Sequence, residues 1–350
     1  MRMRPRRVRP GGDGSTRTRP VIHATPVAPI EGVTGLPGTG RASLAGRSRR
    51  TVERMDHKNE VREFLASRRA RLTPDAAGLP AYGGNRRVPG LRREEVAMLA
   101  GVSADYYTRL ERGNLGGVSE GVLESVATAL QLDVAERAHL FDLARTANAG
   151  VRPRATRRTQ PAVRPSVRRV LDAMEGVPAF VVNGRLEIVA ANALGEALYA
   201  PQFSNPERPV NQARFAFLDP RARTFWANWD RAAWDTVAML RTEAGRHPYD
   251  RALTDLIGEL STRSDAFRTL WARHDVKLHH VGAKTIVHPV VGPIELSFEV
   301  FGLPADDGLS ILTYSAEPGS ASEDALKLLA SWAATRHEPE HEASAPIETP

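Results

Sequence analysis

The chain has 350 residues, of which 41% are hydrophobic and 25% are charged, and it contains no cysteine. At roughly 100–200 residues per domain, this length predicts two domains. The absence of cysteine excludes disulfides and thiolate chemistry. No apolar run approaches the ~20 residues that a membrane-spanning helix needs. We therefore expect a cytoplasmic protein with no membrane partner.

The net charge of +7 is unevenly distributed along the chain. Residues 1–54 carry +9, residues 55–165 carry +5 and residues 166–350 carry −7. A basic region followed by an acidic one indicates a nucleic-acid-binding module joined to a module with a different task. Chance variation in surface charge is the alternative.

Residues 1–54 are rich in Arg, Pro, Gly and Thr and show no hydrophobic periodicity. Such a segment cannot bury enough apolar surface to fold, so we expect a disordered basic extension. Three origins are open: an arm that strengthens DNA binding, a targeting segment, or a start codon assigned upstream of a true start at Met55. We favour the last, because recognisable patterning begins near Lys58.

Residues 58–147 have apolar side chains at helical spacing, interrupted by a Gly- and Pro-rich loop, and they predict an all-α domain. Within them, a helix-turn-helix pattern spans residues 93–112. Ala97 is small where two helices would cross, Gly101 permits the positive φ of a tight turn, and Ser103 can cap the second helix. Five further residues are spaced to bury the junction: Val96, Ala100, Val102, Tyr107 and Leu110. A helical hairpin that binds no DNA is the alternative.

The second helix of such a motif enters the major groove of DNA. The residues expected at the DNA from this helix and its cap are Ser103, Ala104, Asp105, Tyr106, Thr108 and Arg109. Arg109 suits bidentate recognition of guanine, with a phosphate contact or simple solvation as its alternatives. Four arginines flanking the first helix are expected at phosphates: Arg86, Arg87, Arg92 and Arg93.

Residues 148–165 form a Pro/Arg-rich linker, and residues 166–336 predict an α+β domain with an antiparallel sheet, before an acidic disordered tail at 337–350. Its predicted strands are 179–183 and 187–191, which flank an Asn-Gly turn, then 285–291, 294–300 and 309–315. The first predicted helix of this domain runs from Pro220, with Asp219 as its cap, to Leu240. Three further helices are predicted over 249–260, 264–274 and 323–335.

Large aromatic side chains in this second domain are candidates for lining a pocket for an apolar small molecule. They are Phe225, Trp226, Trp229, Trp234, Trp271 and Phe298. For each one, ordinary core packing is the alternative.

An enzymatic role is not predicted for the second domain. Its histidines, among them His279 and His288, lack the spacing of a zinc site. Neither a nucleophile elbow nor a glycine-rich phosphate loop occurs. We therefore predict no catalytic residue, no metal and no cofactor apart from a bound apolar ligand.

The run from Val88 to Gly113, VPGLRREEVAMLAGVSADYYTRLERG, resembles bacterial helix-turn-helix regulators of the XRE class. The stretches SDAFRTLWARHDV at 264–276, HPVVG at 288–292 and YSAEPGS at 314–320 resemble the MmyB-like ligand-binding domain. The resemblance covers about residues 58–335.

This resemblance implies a five-helix DNA-binding domain followed by a PAS-like α+β domain that holds an apolar small molecule, with fatty acids as one class. It leads us to expect a transcriptional regulator whose partners are a double-stranded DNA operator, a small apolar ligand and a second copy of the chain, since helix-turn-helix proteins commonly bind as dimers. In the alternative interpretation, the PAS-like domain serves only dimerisation or partner binding.

Overall fold

The computed structural model describes residues 57–80, 88–148 and 163–337. The predicted basic extension, most of the predicted linker and nearly all of the predicted acidic tail lie outside the described residues. The described part has a helical region followed by a region of helices and one six-stranded antiparallel sheet. This arrangement confirms the predicted fold class, an all-α domain followed by an α+β domain.

Across residues 57–80 and 88–148, the structure has five helices over a common apolar core. They are α1 over residues 57–71, α2 Arg93–Leu99, α3 Ala104–Glu111, α4 Glu120–Ala129 and α5 Val134–Asn148. The predicted capping box at the start of α5 is confirmed: the Glu136 amide donates to Asp133 Oδ1 at 2.8 Å, and the Asp133 amide donates to Glu136 Oε2 at 3.1 Å. These bonds satisfy amides that a helix start leaves without intrahelical partners.

The sheet has the strand order β3-β2-β1-β6-β5-β4. Its strands are β1 Ala179–Asn183, β2 Glu187–Ala191, β3 Val210–Asn211, β4 Val281–His288, β5 Gly292–Gly302 and β6 Leu309–Ser315. The predictions of β1, β2 and β6 are confirmed. The predicted strand at 285–291 is wrong by several residues, because the chain turns back after His288 so that Gly292, at φ +75°, pairs with it.

Helices cover both faces of the central strands. These helices are α6 Pro165–Asp172, α7 Ala193–Leu198, α8 Ala200–Phe203, α9 Gln212–Leu218, α10 Ala222–Phe225, α11 Trp229–Arg246, α12 Arg251–Arg263, α13 Asp265–Trp271 and α14 Ala321–His337. Phe180 and Leu312 face α7 and α14, whereas Val181 and Ile311 face α6. Successive strand residues point to opposite faces, so both faces of this apolar run are buried.

The predicted single helix from Pro220 to Leu240 is wrong at its start. The short α10 ends at Phe225, and Trp226 then forms an isolated β-bridge with Ile286 of β4. The long helix α11 begins three residues later, where Asn228 Oδ1 accepts the Arg231 amide at 3.0 Å. Pairing with the sheet therefore interrupts a stripe that reads as one helix.

Among the described residues, the helices are all too short or too polar to cross a membrane.

Candidate DNA-binding surface and ligand cavity

The turn between α2 and α3 has the geometry that the sequence predicted. Gly101 adopts φ +65°, a left-handed conformation that side chains disfavour. The Val102 amide donates to the Ala97 carbonyl at 3.0 Å, and Ala97 is buried where the helices approach. Ser103 Oγ accepts the Tyr106 amide at 3.1 Å, which confirms the predicted cap of α3.

The outward face of α3 carries the residues predicted to meet DNA. Asp105 and Arg109 are exposed, and Ala104, Tyr106 and Thr108 are partly exposed. Tyr107 and Leu110, on the opposite face, are fully buried in the helical core. The Arg109 guanidinium lies over the Tyr106 ring, with its central carbon 4.9 Å from the ring centroid, a cation–π contact that holds the side chain against the helix surface.

Arg93 has a structural partner that the sequence analysis missed. Its Nη2 atom lies 3.1 Å from Oε1 of Glu111, and Nη2 of Arg69 lies 3.0 Å from the same oxygen. Hydrogen bonding to Glu111 raises the pKa of Arg93. Glu111 is buried at the end of α3 and thereby ties this helix to α1 and α2, while the Arg93 side chain stays 48% exposed.

The other flanking arginines divide into two groups. Arg92 is exposed at the start of α2. Arg86 and Arg87 lie outside the described residues, so their predicted phosphate contacts stay predictions.

The six aromatic pocket candidates lie at several places in the second domain. Phe225, Trp226 and Phe298 belong to the core beneath the sheet. Trp229 donates from Nε1 to the Ala216 carbonyl at 2.9 Å, and Trp271 stacks on Phe267 at 5.6 Å between ring centroids. The Nε1 atom of the last one, Trp234, donates to Oδ2 of Asp275 at 2.9 Å.

A cavity of about 500 Å³ lies between α11, the inner face of the sheet and the residues that precede β4. Its lining includes Met239, Thr242, Glu243 and Arg246 from α11, residues 277–280, and Val182, Lys284, Val300 and Leu312 from the sheet. None of the six aromatic candidates is among the residues that line it. Their contact with a ligand stays a prediction.

Lys284 is the most unusual side chain of this lining. Its ammonium nitrogen lies 4.9 Å from the ring centroid of Phe298 and 5.4 Å from that of Trp226. Within the described residues it has no carboxylate partner at ion-pair distance. Burial lowers the pKa of Lys284 to about 8, with the charge of Asp235 acting in the opposite direction.

His279 adds a second polar group to the same wall. Its ring stacks on Phe298, with 4.2 Å between centroids. Neither ring nitrogen has a hydrogen-bond partner among the residues that the structure describes. Burial, followed by the charges of Lys284 and Lys277, lowers the pKa of His279 to about 2, so the ring is neutral at pH 7. On the facing helix, burial raises the pKa of Glu243, which again favours the uncharged form.

Sequence reasoning missed Lys284, although a signal for it exists. In β4, residues two apart share a face, and Ile286 and His288 are buried. Lys284 is half-buried on that same face, so a lysine falls at a position where the alternation predicts an apolar residue. A charge on the inner face of a strand is a marker of a site.

Two family models match the chain. Residues 60–140 match the helix-turn-helix domain family, and residues 163–329 match the MmyB-like transcription regulator ligand binding domain. Among curated proteins, none matches the chain significantly.

Proposed function

Because the chain belongs to the helix-turn-helix regulators with an MmyB-like ligand-binding domain, we propose that it acts in the cytoplasm as an operator-specific regulator controlled by a small amphipathic ligand. The exposed face of α3 carries the DNA-binding part of this proposal. Arg109, stacked on Tyr106 beside Asp105 and Thr108, offers the donors and acceptors that read base edges in the major groove.

Selection from random DNA tests the DNA-binding part. The full chain is incubated with duplexes that have a random central segment, and bound duplexes are amplified and sequenced over several rounds. We expect one enriched motif, whose recovery falls as salt rises because phosphate contacts release counterions. Selected duplexes that share no enriched motif would contradict operator-specific binding.

We propose that the regulator binds its operator as a homodimer. Dimeric helix-turn-helix proteins contact two half-sites about one helical turn apart, so protein symmetry appears in the operator. The selected motif is then expected to contain two copies of a half-site, and sedimentation should give the mass of two chains on one duplex. A single unrepeated site with one chain bound would contradict the dimer.

The lining of the cavity supports an amphipathic ligand of the fatty-acid class. Its apolar wall includes Met239, Val300 and Leu312, which suit an alkyl chain. Lys284 offers an ammonium group without a carboxylate partner among the described residues, and an acidic head group would supply the missing charge. The buried ring nitrogens of His279 offer a further hydrogen bond.

Titration calorimetry with two probes tests the ligand class. Dodecanoate and dodecanol share the alkyl chain and differ in the head group. We expect dodecanoate to bind the full chain about tenfold more tightly, and Lys284→Met to remove that advantage while leaving dodecanol binding unchanged. No binding of either probe would reject a fatty-acid-like ligand, and equal binding of both by the unmodified protein would reject the role of Lys284.

A further inference from the structure

The helix-turn-helix domain docks on the second domain through ion pairs, one of which includes a completely buried arginine. Oε1 of Glu60 on α1 lies 2.5 Å from Nη1 of Arg241 on α11, whose side chain is completely buried. Oδ1 of Asp275 lies 3.5 Å from Nη1 of Arg71, also on α1. On α5, Oδ2 of Asp142 lies 3.2 Å from Nε of Arg246.

Apolar packing reinforces the same contact. Val276 is 5% exposed and belongs to the hydrophobic core of the helix-turn-helix domain, although it precedes β4 in the second domain. The ring of His139 on α5 packs against Gly245 of α11 so closely that a Cβ at that glycine would lie 2.5 Å from the ring. The two domains therefore share a packed interior at this surface.

The elements that hold the helix-turn-helix domain also form a wall of the cavity. Within α11, Arg241 and Gly245 face the helix-turn-helix domain, while Thr242 and Glu243 line the cavity. Arg246 does both, because it lines the cavity and also pairs with Asp142. We call residues 239–246 and 274–280 together the shared wall.

The second segment of the shared wall is divided in the same way. The His274 carbonyl accepts a hydrogen bond from Arg68, and Asp275 and Val276 contact the helix-turn-helix domain. The next four residues, 277–280, line the cavity. The two segments of the wall are joined, since Thr242 Oγ1 donates to the Lys277 carbonyl at 3.2 Å.

We propose that the shared wall transmits occupancy of the cavity to the docking of the helix-turn-helix domain, so that ligand and operator binding are coupled. This inference rests on the proposed ligand-sensing function. A ligand that displaces residues 277–280 also displaces residues 274–276, because the chain is continuous and both sides are closely packed. Packed interiors respond to such a change by shifting as units rather than by deforming gradually.

The first test needs no ligand. Glu60→Gln weakens the contact from the helix-turn-helix side, and Glu60 itself does not line the cavity. Relative to the amides of α4, those of residues 277–280 in the full chain are expected to exchange about tenfold faster in this variant than in the unmodified protein. The control is Glu124→Gln, which removes an ion pair with Arg137 inside the helix-turn-helix domain. Unchanged exchange at 277–280 in Glu60→Gln, or the same acceleration in Glu124→Gln, would overturn the proposal.

A second variant covers the case in which Glu60→Gln does not fold. Asp142→Asn removes the ion pair with Arg246, whereas Arg145 lies 2.6 Å from the same side chain and can still hydrogen-bond to the amide oxygen. We expect faster exchange at the amides of residues 239–246 in this variant, with unchanged exchange in α4 as the internal control. If exchange is accelerated by the same factor throughout the chain, the variant is generally destabilised, and this result would overturn the coupling.

The second test uses dodecanoate and the selected DNA motif. Saturating dodecanoate is expected to change the Kd for that DNA by about fivefold or more, a typical allosteric coupling. In Asp142→Asn, the ratio of the Kd with dodecanoate to the Kd without it should move towards one. An unmodified protein that binds both partners with no change in Kd would overturn the shared wall alone. Failure to bind dodecanoate or DNA would instead reject the proposed function on which the coupling rests.

Discussion

Arg109 is the side chain whose removal should affect sequence recognition most directly. It is exposed on α3, and within the described residues it forms no ion pair that would fix it to the protein. We expect Arg109→Ala to weaken binding to the selected motif by about 1–3 kcal/mol and to relax preference at one base pair. Fluorescence anisotropy with the motif and single-base variants measures both effects.

The control for Arg109 is another exposed arginine far from the motif. Arg251, at the start of α12, has a side chain that is 78% exposed. Arg251→Ala should leave the Kd and the base preference unchanged. A uniform loss for all DNA sequences in Arg109→Ala would assign this arginine to a phosphate instead of a base.

The pKa of Lys284 predicts how the affinity for an acidic ligand depends on pH. Burial lowers its pKa to about 8 in the free protein, so the ammonium form is present below that pH and is lost above it. Because the charged form attracts a carboxylate, we expect the Kd for dodecanoate to rise as pH increases from 8 to 10. Dodecanol, which has no charge, should show a flat profile in the same calorimetric titration.

Lys284→Met separates this titration from a general effect of alkaline pH. The variant should bind dodecanoate weakly with little pH dependence. If the unmodified protein and the variant lose affinity in parallel, another group is responsible for the pH dependence.

Two glycines in the helix-turn-helix domain both have a positive φ but differ in the space that a Cβ would have. Gly101 needs its positive φ, but a Cβ there would meet open space. Gly113, at φ +86°, would in addition bring a Cβ within 2.5 Å of the Lys58 carbonyl oxygen on α1. We expect Gly101→Ala to cost about 1–2 kcal/mol and Gly113→Ala to cost more, because backbone strain is joined there by a clash.

Thermal unfolding followed by circular dichroism measures both costs. Gly116→Ala is the matched control, since its Cβ would meet nothing within 4 Å and its φ lies outside the left-handed region. Its effect should stay within about 0.5 kcal/mol. Equal losses for Gly101→Ala and Gly113→Ala would show that the approach of α1 to Gly113 adds no cost.

At the scale of elements, local residue types predicted most helix and strand positions. Ser103 marked the start of α3, and the Asp133 and Glu136 pair marked the start of α5. The start of α11 could not be predicted in this way, because the bridge between Trp226 and Ile286 joins residues that are sixty positions apart. Helical spacing contains no information about such a partner.

For the whole molecule, the Glu60 contact predicts a loss of stability when the charge is removed. The Arg241 side chain is completely buried and that of Glu60 is 26% exposed, so Glu60→Gln leaves a buried guanidinium without its carboxylate. We expect a loss of about 3–5 kcal/mol in the free energy of unfolding at pH 7. Urea titration monitored by tryptophan fluorescence measures it, with Glu175→Gln at an exposed position as the control.

Acid pH should reduce the difference in the free energy of unfolding between the unmodified protein and Glu60→Gln. Burial alone would raise the Glu60 pKa, but nearby His139, His274 and Arg241 outweigh it and hold that pKa well below its usual range. The stabilisation is therefore complete above about pH 4.5, the value for an unfolded glutamate, and is lost as pH falls through the lower folded pKa. A difference that stays constant to the lowest pH would contradict this assignment.

By itself, the sequence determined the helix-turn-helix motif, the confirmed strands and the helix caps, because each depends on residues within a few positions of one another. Tertiary structure alone decided that Glu111 joins three helices, that Val276 completes the core of the other domain, and that Lys284 lines a cavity. These features depend on contacts between distant segments, which hydrophobic packing of whole elements brings together. Periodicity reveals which face of an element is buried, but packing decides what that face meets.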